Sequence, residues 1–345
     1  MLNILNPFEL KNITLKNRLV MSPMCMYSAD NGGYVQDFHI IHYGTRAYGG
    51  VGTILVEASA VLPEGRISEN DIGIWDDSHI KGLTKIVEII KGAGVIPAIQ
   101  IGHAGRKAEI SGEIFAPSPI AYSGEYKNPK ALTKKDIKKI VDAFKTAFWR
   151  AKKCGFDIVE IHAAHGYLLN QFLSPLTNMR EDEYGYKTYE DRFRIVKEII
   201  SEIKSQDDKT PLSIRFSASD YVNGGNTIND IIEFSLKAKQ YGVDIVDVSS
   251  GGVSLEQKLK VYPGYQVKFA QEIKDKVGIS TIAVGLITTL EQCEMILASG
   301  SADLIAMGRN LLRNPYFLIN RIKEYDIDIA KNIYPKQYLR IFEVK

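Results

Sequence analysis

The sequence predicts a closed (β/α)8 TIM barrel, and three observations predict it. Eight short β-type apolar runs recur along the chain, segments with helical periodicity separate them, and no linker rich in Pro, Gly or Ser divides the 345 residues. Runs that are apolar throughout mark strands covered on both faces, as in a parallel sheet flanked by helices. Eight such strand–helix units are the number at which the sheet closes on itself. A single domain over 1–345 follows.

The elements can be read in order. "FELKNITLKNR" (8–18) alternates about Lys11 and Asn12 and reads as an N-terminal hairpin closing the bottom of the barrel. The strands are "RLVMSPM" (18–24), "GTILVEAS" (52–59), "IPAIQIGH" (96–103), "DIVEIHAA" (157–164), "LSIRFSA" (212–218), "DIVDVSSG" (244–251), "STIAVGLI" (280–287) and "DLIAMGR" (303–309). Helices over 78–94, 136–155 and 229–242 carry apolar residues at three- and four-residue spacing and end at a glycine suited to the position after a helix. Thr288 and Glu291 have the spacing of a capping box, opening another helix at "TLEQCEMILASG". After the third strand comes an extended loop, 105–132, with prolines and glycines but no period, and loops of that length in compact domains are commonly functional. The tail, "YPKQYLRIFEVK" (334–345), is more apolar and aromatic than a disordered end.

Composition narrows the function classes. Hydrophobic residues make up 45% and charged residues 24%, ordinary for a protein with a sizeable core. Forty-three Lys plus Arg against forty-one Asp plus Glu leave a net charge of +2 with no long single-sign run, so bulk charge recruits neither nucleic acid nor an anionic membrane. The start, "MLNILNPFEL", has no basic, apolar leader, and no apolar run reaches the roughly 18 residues of a membrane span, so a cytoplasmic location is expected. Cys25, Cys154 and Cys293 lie far apart without a C-x-x-C pair, which excludes a disulfide framework and a cysteine-held cluster.

In such a barrel the chemistry sits at the C-terminal ends of the strands. Those ends carry Ser22 to Cys25, Glu57 and Ala58, Gln100 and His103, His162 and His165, Arg215, Ser249 and Ser250, Gly285, and Gly308 with Arg309. Barrels often hold a phosphate after strands seven and eight, where Gly285, Gly308 and Arg309 have the right chemistry; the same glycines could simply serve tight turns. Arg215 lies inside an apolar strand, where either a structural salt bridge or a bound anion must offset its desolvation. His162, His165 and Tyr167 follow the fourth strand, with Gly166 discouraging a continuing helix. The pair suits a metal, a structural role, or a clamp on an anionic oxygen with Tyr167 as acid. The metal reading has only Glu160, of the same parity as His162, as a nearby carboxylate.

The motifs "LKNRLVMSPMCMYS" (15–28), "QIGHAGRKAE" (100–109), "GFDIVEIHAAHGYLLNQFLSPLTN" (155–178), "RFSASDY" (215–221) and "ADLIAMGRNLLRNP" (302–315) run over nearly the whole chain. Through them the chain resembles the old yellow enzymes, flavin-dependent ene-reductases, and most closely their bacterial branch with a cysteine near the flavin. The resemblance implies a non-covalent FMN. Ser22, Pro23, Met24, Cys25 and Ala58 are then expected along the isoalloxazine ring, Gln100 and Arg215 at its pyrimidine edge, and Gly285, Gly308 and Arg309 at the phosphate. It implies ping-pong transfer of hydride from NADPH or NADH to small enones, quinones or nitro compounds. His162 and His165 would bind the substrate oxygen, Tyr167 would protonate the α-carbon, Tyr27 would touch the substrate, and Cys25 would tune the flavin. By the same resemblance Arg340 in "QYLR" (337–340) reaches a neighbouring subunit's site, which implies a homodimer or homotetramer with the tail, 325–345, at an interface. After "EDEYG" the chain departs from the family pattern with "YKTYEDR" (186–192). The competing classes are a metal-dependent hydrolase on the same barrel, a different FMN barrel oxidoreductase, and a catalytically idle ligand-binding barrel.

Overall fold

A computed structural model describes residues 2–343 of the chain. It opens with an antiparallel hairpin of β1 (Phe8–Leu10) and β2 (Ile13–Leu15), turning at Lys11 with φ 54°. Then follow β3 (Leu19–Met21), α1 (Asp37–Tyr48), β4 (Thr53–Ala60), α2 (Ile80–Gly92) and β5 (Ile96–Gly102). The long loop after β5 carries the two-residue strands β6 (Phe115–Ala116) and β7 (Lys130–Ala131), and leads to α3 (Lys134–Cys154) and β8 (Ile158–Ala163). The second half runs α4 (Leu168–Leu173), α5 (Tyr189–Lys204), β9 (Leu212–Ser217), α6 (Ile228–Gln240), β10 (Ile245–Ser249), α7 (Val267–Val277), β11 (Ser280–Ala283), α8 (Leu290–Ala298) and β12 (Leu304–Met307). Three short helices, α9 (Arg309–Arg313), α10 (Phe317–Tyr325) and α11 (Ile327–Ile333), precede a last 3-10 turn at Lys336–Phe342.

Eight strands form one closed barrel in the order β3-β4-β5-β8-β9-β10-β11-β12, with β12 hydrogen-bonded back to β3 and every pair parallel. This is the predicted (β/α)8 barrel, and each strand lies within its expected run except β4, which extends one residue past it to Ala60. The other seven strands end sooner than expected, because the last residues of each run belong to the polar rim.

Alternation along the strands builds the interior in layers. Val20, Leu55, Ala98, Ile158, Ile245, Ile282 and Leu304 form the lowest layer and pack with Leu10 and Leu15 of the hairpin, which seals the bottom. A larger apolar shell lies between the strands and the surrounding helices. Two residues further along the strands, Gln100, Glu160 and Asp247 replace the apolar side chains.

Helix ends show where local chemistry sets boundaries. α3 is capped by Thr133, whose side chain and that of Asp136 bond each other's backbone N–H, and it stops at Gly155 with φ 92°. The expected box at Thr288 and Glu291 is corrected by one residue. Thr289 Oγ1 accepts from the Gln292 N–H (3.2 Å), while Gln292 Oε1 accepts from the N–H groups of both Thr288 (2.8 Å) and Thr289 (3.2 Å). "TTLEQ" allows two registers, and the later one satisfies an extra backbone donor. Inside the departing "YKTYEDR" stretch, Thr188 caps α5.

Leu15 is fully buried at the bottom seal. Leu15→Ala is expected to reduce stability by about 2–5 kcal/mol in urea unfolding; a wild-type midpoint would mean the hairpin does not share the barrel's core.

Candidate functional site

The turn after β8 is built by three local contacts. His165 takes φ 59°, unusual for a non-glycine residue, and its N–H donates to Ser217 Oγ (2.9 Å), which in turn donates to the Gly251 carbonyl (2.8 Å). The Gly166 N–H donates to Asn170 Oδ1 (2.7 Å). A Cβ on Gly166 would stand 2.3 Å from the Gly252 carbonyl oxygen, so only glycine lets this turn meet the loop after β10. The result is a cluster of rings: His162 lies 4.9 Å from Tyr167 and 5.2 Å from His165, both edge to face.

The protonation states follow from the surroundings. His162 Nδ1 accepts from the Ala164 N–H (3.2 Å), which leaves the proton on Nε2. Burial first, then the positive charges of Arg215 and Lys107, holds His162 well below the ordinary histidine value; His165 is depressed by the same causes and by His162. Both rings are therefore neutral donors rather than cations at neutral pH. Tyr167 is pushed well above the usual phenol range by burial, with Cys25, Tyr27 and Asp71 adding to the effect, so it keeps its proton. His165 Nε2 is 2.7 Å from Ser249 Oγ, which orients the ring.

Beneath the rings lies a layer of buried charge. Arg215 Nε is 3.1 Å from Asp247 Oδ2, and both side chains are almost fully buried. Glu160 accepts from Gln100 Nε2 (2.8 Å) and Ser213 Oγ (2.7 Å). Burial and the neighbouring Asp247 raise Glu160 to about 8, so it carries a proton at neutral pH. Asp247 is also raised by burial, against the pull of Arg215. The Arg215–Asp247 contact is close but not aligned as a hydrogen bond, and Arg215 Nε and both Asp247 carboxylate oxygens are buried without a hydrogen-bond partner among the described residues. Among those residues no group of three or more His, Cys, Asp or Glu is arranged to hold a metal.

Across the mouth, Cys25 is half-buried and Tyr27 is half-exposed with φ 52°. Burial, reinforced by the charges of Glu57 and Asp71, lifts the Cys25 thiol well above its ordinary value, so it is a thiol and not a thiolate. Lys107, depressed to about 8 by burial, donates to the carbonyls of His165 (3.0 Å) and Gly252 (3.2 Å). Arg106 donates to the Val253 carbonyl (2.6 Å), so the long loop is tied to the histidine turn and to the loop after β10.

After β11 and β12 lies a cavity of about 170 Å³, lined by Tyr265, Gln266, Gly285, Gly308, Arg309 and Arg313 among others. Gly285 has φ 129°, and a Cβ there would crowd Gln266 and Tyr265 at 3.2 Å; one on Gly308 would meet Met24 Sδ at 3.2 Å. Another cavity, of about 580 Å³, sits at the other end of the barrel against Lys16, Gly94 and Gln337 and contains none of the rim groups.

Most of the predicted site residues thus share one rim: Ser22 to Cys25 and Tyr27 after β3, Ala58 and Gln100 on β4 and β5, the histidine turn, Arg215, and the Gly285, Gly308 and Arg309 cavity. Arg340 does not join them. It is exposed in the terminal turn and has no polar partner among the described residues. Reasoning from sequence assigns no role to Lys107, Tyr265 or Gln266, whose only signal is their place in loops next to strand ends.

The donor set fits an FMN. Among the described residues the Ser22 hydroxyl and Arg215 Nε are buried without a hydrogen-bond partner, and the Gln100 amide nitrogen serves Glu160 while its oxygen accepts no hydrogen bond. A planar ring rich in carbonyl oxygen suits those three groups, and the glycine-walled cavity with Arg309 suits its phosphate.

Residues 3–327 match the NADH:flavin oxidoreductase / NADH oxidase family. The chain is 51% identical over 338 residues to an NADPH dehydrogenase of Geobacillus thermodenitrificans, with 98% of each chain covered. Among solved structures it is similar to an old yellow enzyme homologue from Zymomonas mobilis, with TM-score 0.80, 26% identity, and 94% of this chain and 93% of that one covered. It is also similar to a 2-naphthoyl-CoA reductase, with TM-score 0.88 and 25% identity, but spans only about half (52%) of that chain's length.

Nitrogen-detected NMR of the imidazoles tests the protonation states. His162 is expected as the neutral, Nε2-protonated form at pH 6.5, where a free histidine is half charged. An imidazolium signal at that pH would remove the neutral-donor assignment.

Proposed function

The chain belongs to the NADH:flavin oxidoreductase / NADH oxidase family, and from that membership we propose that it moves a hydride from NADPH or NADH to the C=C bond of α,β-unsaturated carbonyl or nitro compounds. It is an enzyme of the NADPH dehydrogenase kind and of old yellow enzyme type, with FMN as cofactor. The observation that carries the substrate reading is the neutral His162–His165 pair beside a protonated Tyr167, at the rim above Arg215.

Bound FMN supplies one ring that both accepts and gives a hydride, so nicotinamide and alkene use the mouth in turn, in ping-pong order. Ser22, Pro23, Met24, Cys25 and Ala58 would line that ring, Gln100 and Arg215 would bond its pyrimidine edge, and Gly285, Gly308 and Arg309 would hold its phosphate. His162 Nε2–H and the His165 ring donate to the carbonyl or nitro oxygen and stabilise the negative charge that builds there, as an oxyanion hole does. Their neutrality matters, since a cationic ring would lose its proton to that oxygen. Tyr167 gives its phenolic proton to the α-carbon as general acid. Tyr27 packs on the substrate from the open side. Cys25, kept as a thiol, adjusts the polarity beside the ring rather than attacking the alkene. Quinones fit the same clamp through either carbonyl.

The tail adds a proposal about assembly. An exposed Arg340 whose guanidinium has no partner among the described residues, beside the exposed Tyr338 and Ile341, suits a homodimer or homotetramer in which the tail reaches a neighbouring mouth. Three unpaired thiols are in keeping with a reducing, cytoplasmic setting.

Purified protein should be yellow, bleach with NADPH in the absence of oxygen and recover its colour with an enone; colour that no enone or nitro compound restores would exclude ene reduction. In stopped-flow measurements Tyr167→Phe is expected to leave the NADPH half-reaction intact and slow alkene reduction by roughly 10²-fold or more. An unchanged oxidative rate would take the acid role away from Tyr167. For Arg340→Ala a raised enone KM with an unchanged NADPH half-reaction is expected, and identical steady-state constants would reject the tail proposal.

A further inference from the structure

Glu57 is a buried carboxylate with no part in the chemistry above. It lies where β4 bulges: Val56 pairs with Ile99 and Ser59 with Ile101, so two residues, Glu57 and Ala58, stand opposite the single Gln100. Bulges beside active sites re-aim side chains. Here Ala58 lines the small cavity beside His162 and Tyr167, whereas Glu57 reaches α1 and the turn after β3.

Its carboxylate accepts two hydrogen bonds and has a histidine ring packed beside it. Oε2 accepts from the Met26 N–H (2.8 Å) and Oε1 from the Tyr43 hydroxyl (2.9 Å), while the Tyr43 oxygen accepts the Glu57 N–H (3.0 Å). His39 Nδ1 accepts from the Gln36 N–H (3.0 Å), which puts its proton on Nε2; that nitrogen stands 3.7 Å from Glu57 Oε1, too far for a hydrogen bond, and has no hydrogen-bond partner among the described residues. Glu57, Tyr43 and His39 are all buried to within 1%.

Met26 lies between Cys25 and Tyr27. The backbone from Pro23 to Ser28 has one other hydrogen bond among the described residues, from the Ser28 hydroxyl to the Met26 carbonyl (2.9 Å), and that bond is local. Among the described residues Glu57 therefore makes the only hydrogen bond from the barrel to the backbone of this segment. The segment needs an anchor, because Tyr27 holds φ 52°, a conformation that persists for a bulky residue only when its surroundings impose it.

We propose that Glu57, braced by Tyr43 and His39, is a positioning residue that holds Cys25 and Tyr27 at the mouth through the Met26 N–H. The proposal rests on the reading that these two side chains face flavin and substrate. Burial raises Glu57 to about 7, so it is partly ionised at neutral pH, and its charged form adds to burial of the thiol in opposing ionisation of Cys25.

The test compares Glu57→Ala, Glu57→Gln and Tyr43→Phe as FMN-loaded proteins. Peptide mass spectrometry reads the rate of Cys25 alkylation by iodoacetamide, and enone KM and kcat are read separately. Glu57→Ala is expected to raise enone KM roughly ten-fold, since small misplacements of positioning groups have effects of this size, and to change Cys25 alkylation several-fold. Glu57→Gln keeps an acceptor for Met26 and should return KM towards wild type, yet alkylate faster above about pH 7, where the wild-type carboxylate is ionised. Tyr43→Phe should give an intermediate KM. Wild-type alkylation and KM in all three would overturn the proposal. So would parallel loss of kcat, KM and thermal midpoint in both Glu57 variants, which is the mark of a merely structural residue. If Glu57→Ala does not fold, the Gln and Phe variants decide by the same criteria. Alkylation needs no turnover, so a wild-type enzyme that reduces no enone would reject the substrate reading and leave this test standing.

Discussion

Pairing of β12 with β3 closes the parallel sheet, and the whole mouth depends on that closure. In a closed parallel barrel all eight strands end at one rim, and residues of like parity point to one axis. Ile158, Glu160 and His162 are two apart on a single strand and therefore occupy three successive levels: apolar seal, charge layer and donor rim. Because the neighbouring strands run in register, Gln100 meets Glu160, and Arg215 meets both His162 and Asp247.

The charge layer is the least favourable feature of the interior. Burying ions costs several kcal/mol each unless they are paired and hydrogen-bonded. One guanidinium faces two carboxylates, and the layer settles this by leaving Glu160 protonated and hydrogen-bonded to Gln100 and Ser213. Arg215 and Asp247 then form a close pair in which Arg215 Nε and both carboxylate oxygens lack a hydrogen bond among the described residues. A fold that served stability alone would fill these positions with apolar side chains, as the layer below does. Retention of incompletely satisfied donors points upward, to a ligand rich in acceptors.

Different parts of the molecule were legible to different degrees. All eight strands could be read because a strand covered on both faces has to be apolar throughout. The hairpin was equally plain, since Leu10 and Leu15 must face the interior. The capping register of α8 was not, because "TTLEQ" offers two acceptable boxes and only the reach of Gln292 to Thr288 separates them. α1 hides its nature, since its inner face carries His39, His42 and Tyr43 rather than aliphatic residues. Of these, Tyr43 hydrogen-bonds Glu57 and His39 lies beside it, because the bulge in β4 turns Glu57 towards α1. No local pattern announces a bulge, so the anchoring of Cys25 and Tyr27 could not be foreseen.

By itself the sequence determined the barrel, the strand ends and the identity of the groups on them, because hydrophobic periodicity and chain order need nothing beyond neighbours along the chain. Only the tertiary structure decided what those groups are chemically. The neutral Nε2–H form of His162, the protonated Glu160, the unreactive thiol of Cys25 and the unpaired Nε of Arg215 all arise from burial and from charges on other strands. Electrostatics depends on distance in space, and residues such as Glu57 and Met26, or Arg215 and His162, become neighbours only once the sheet has closed.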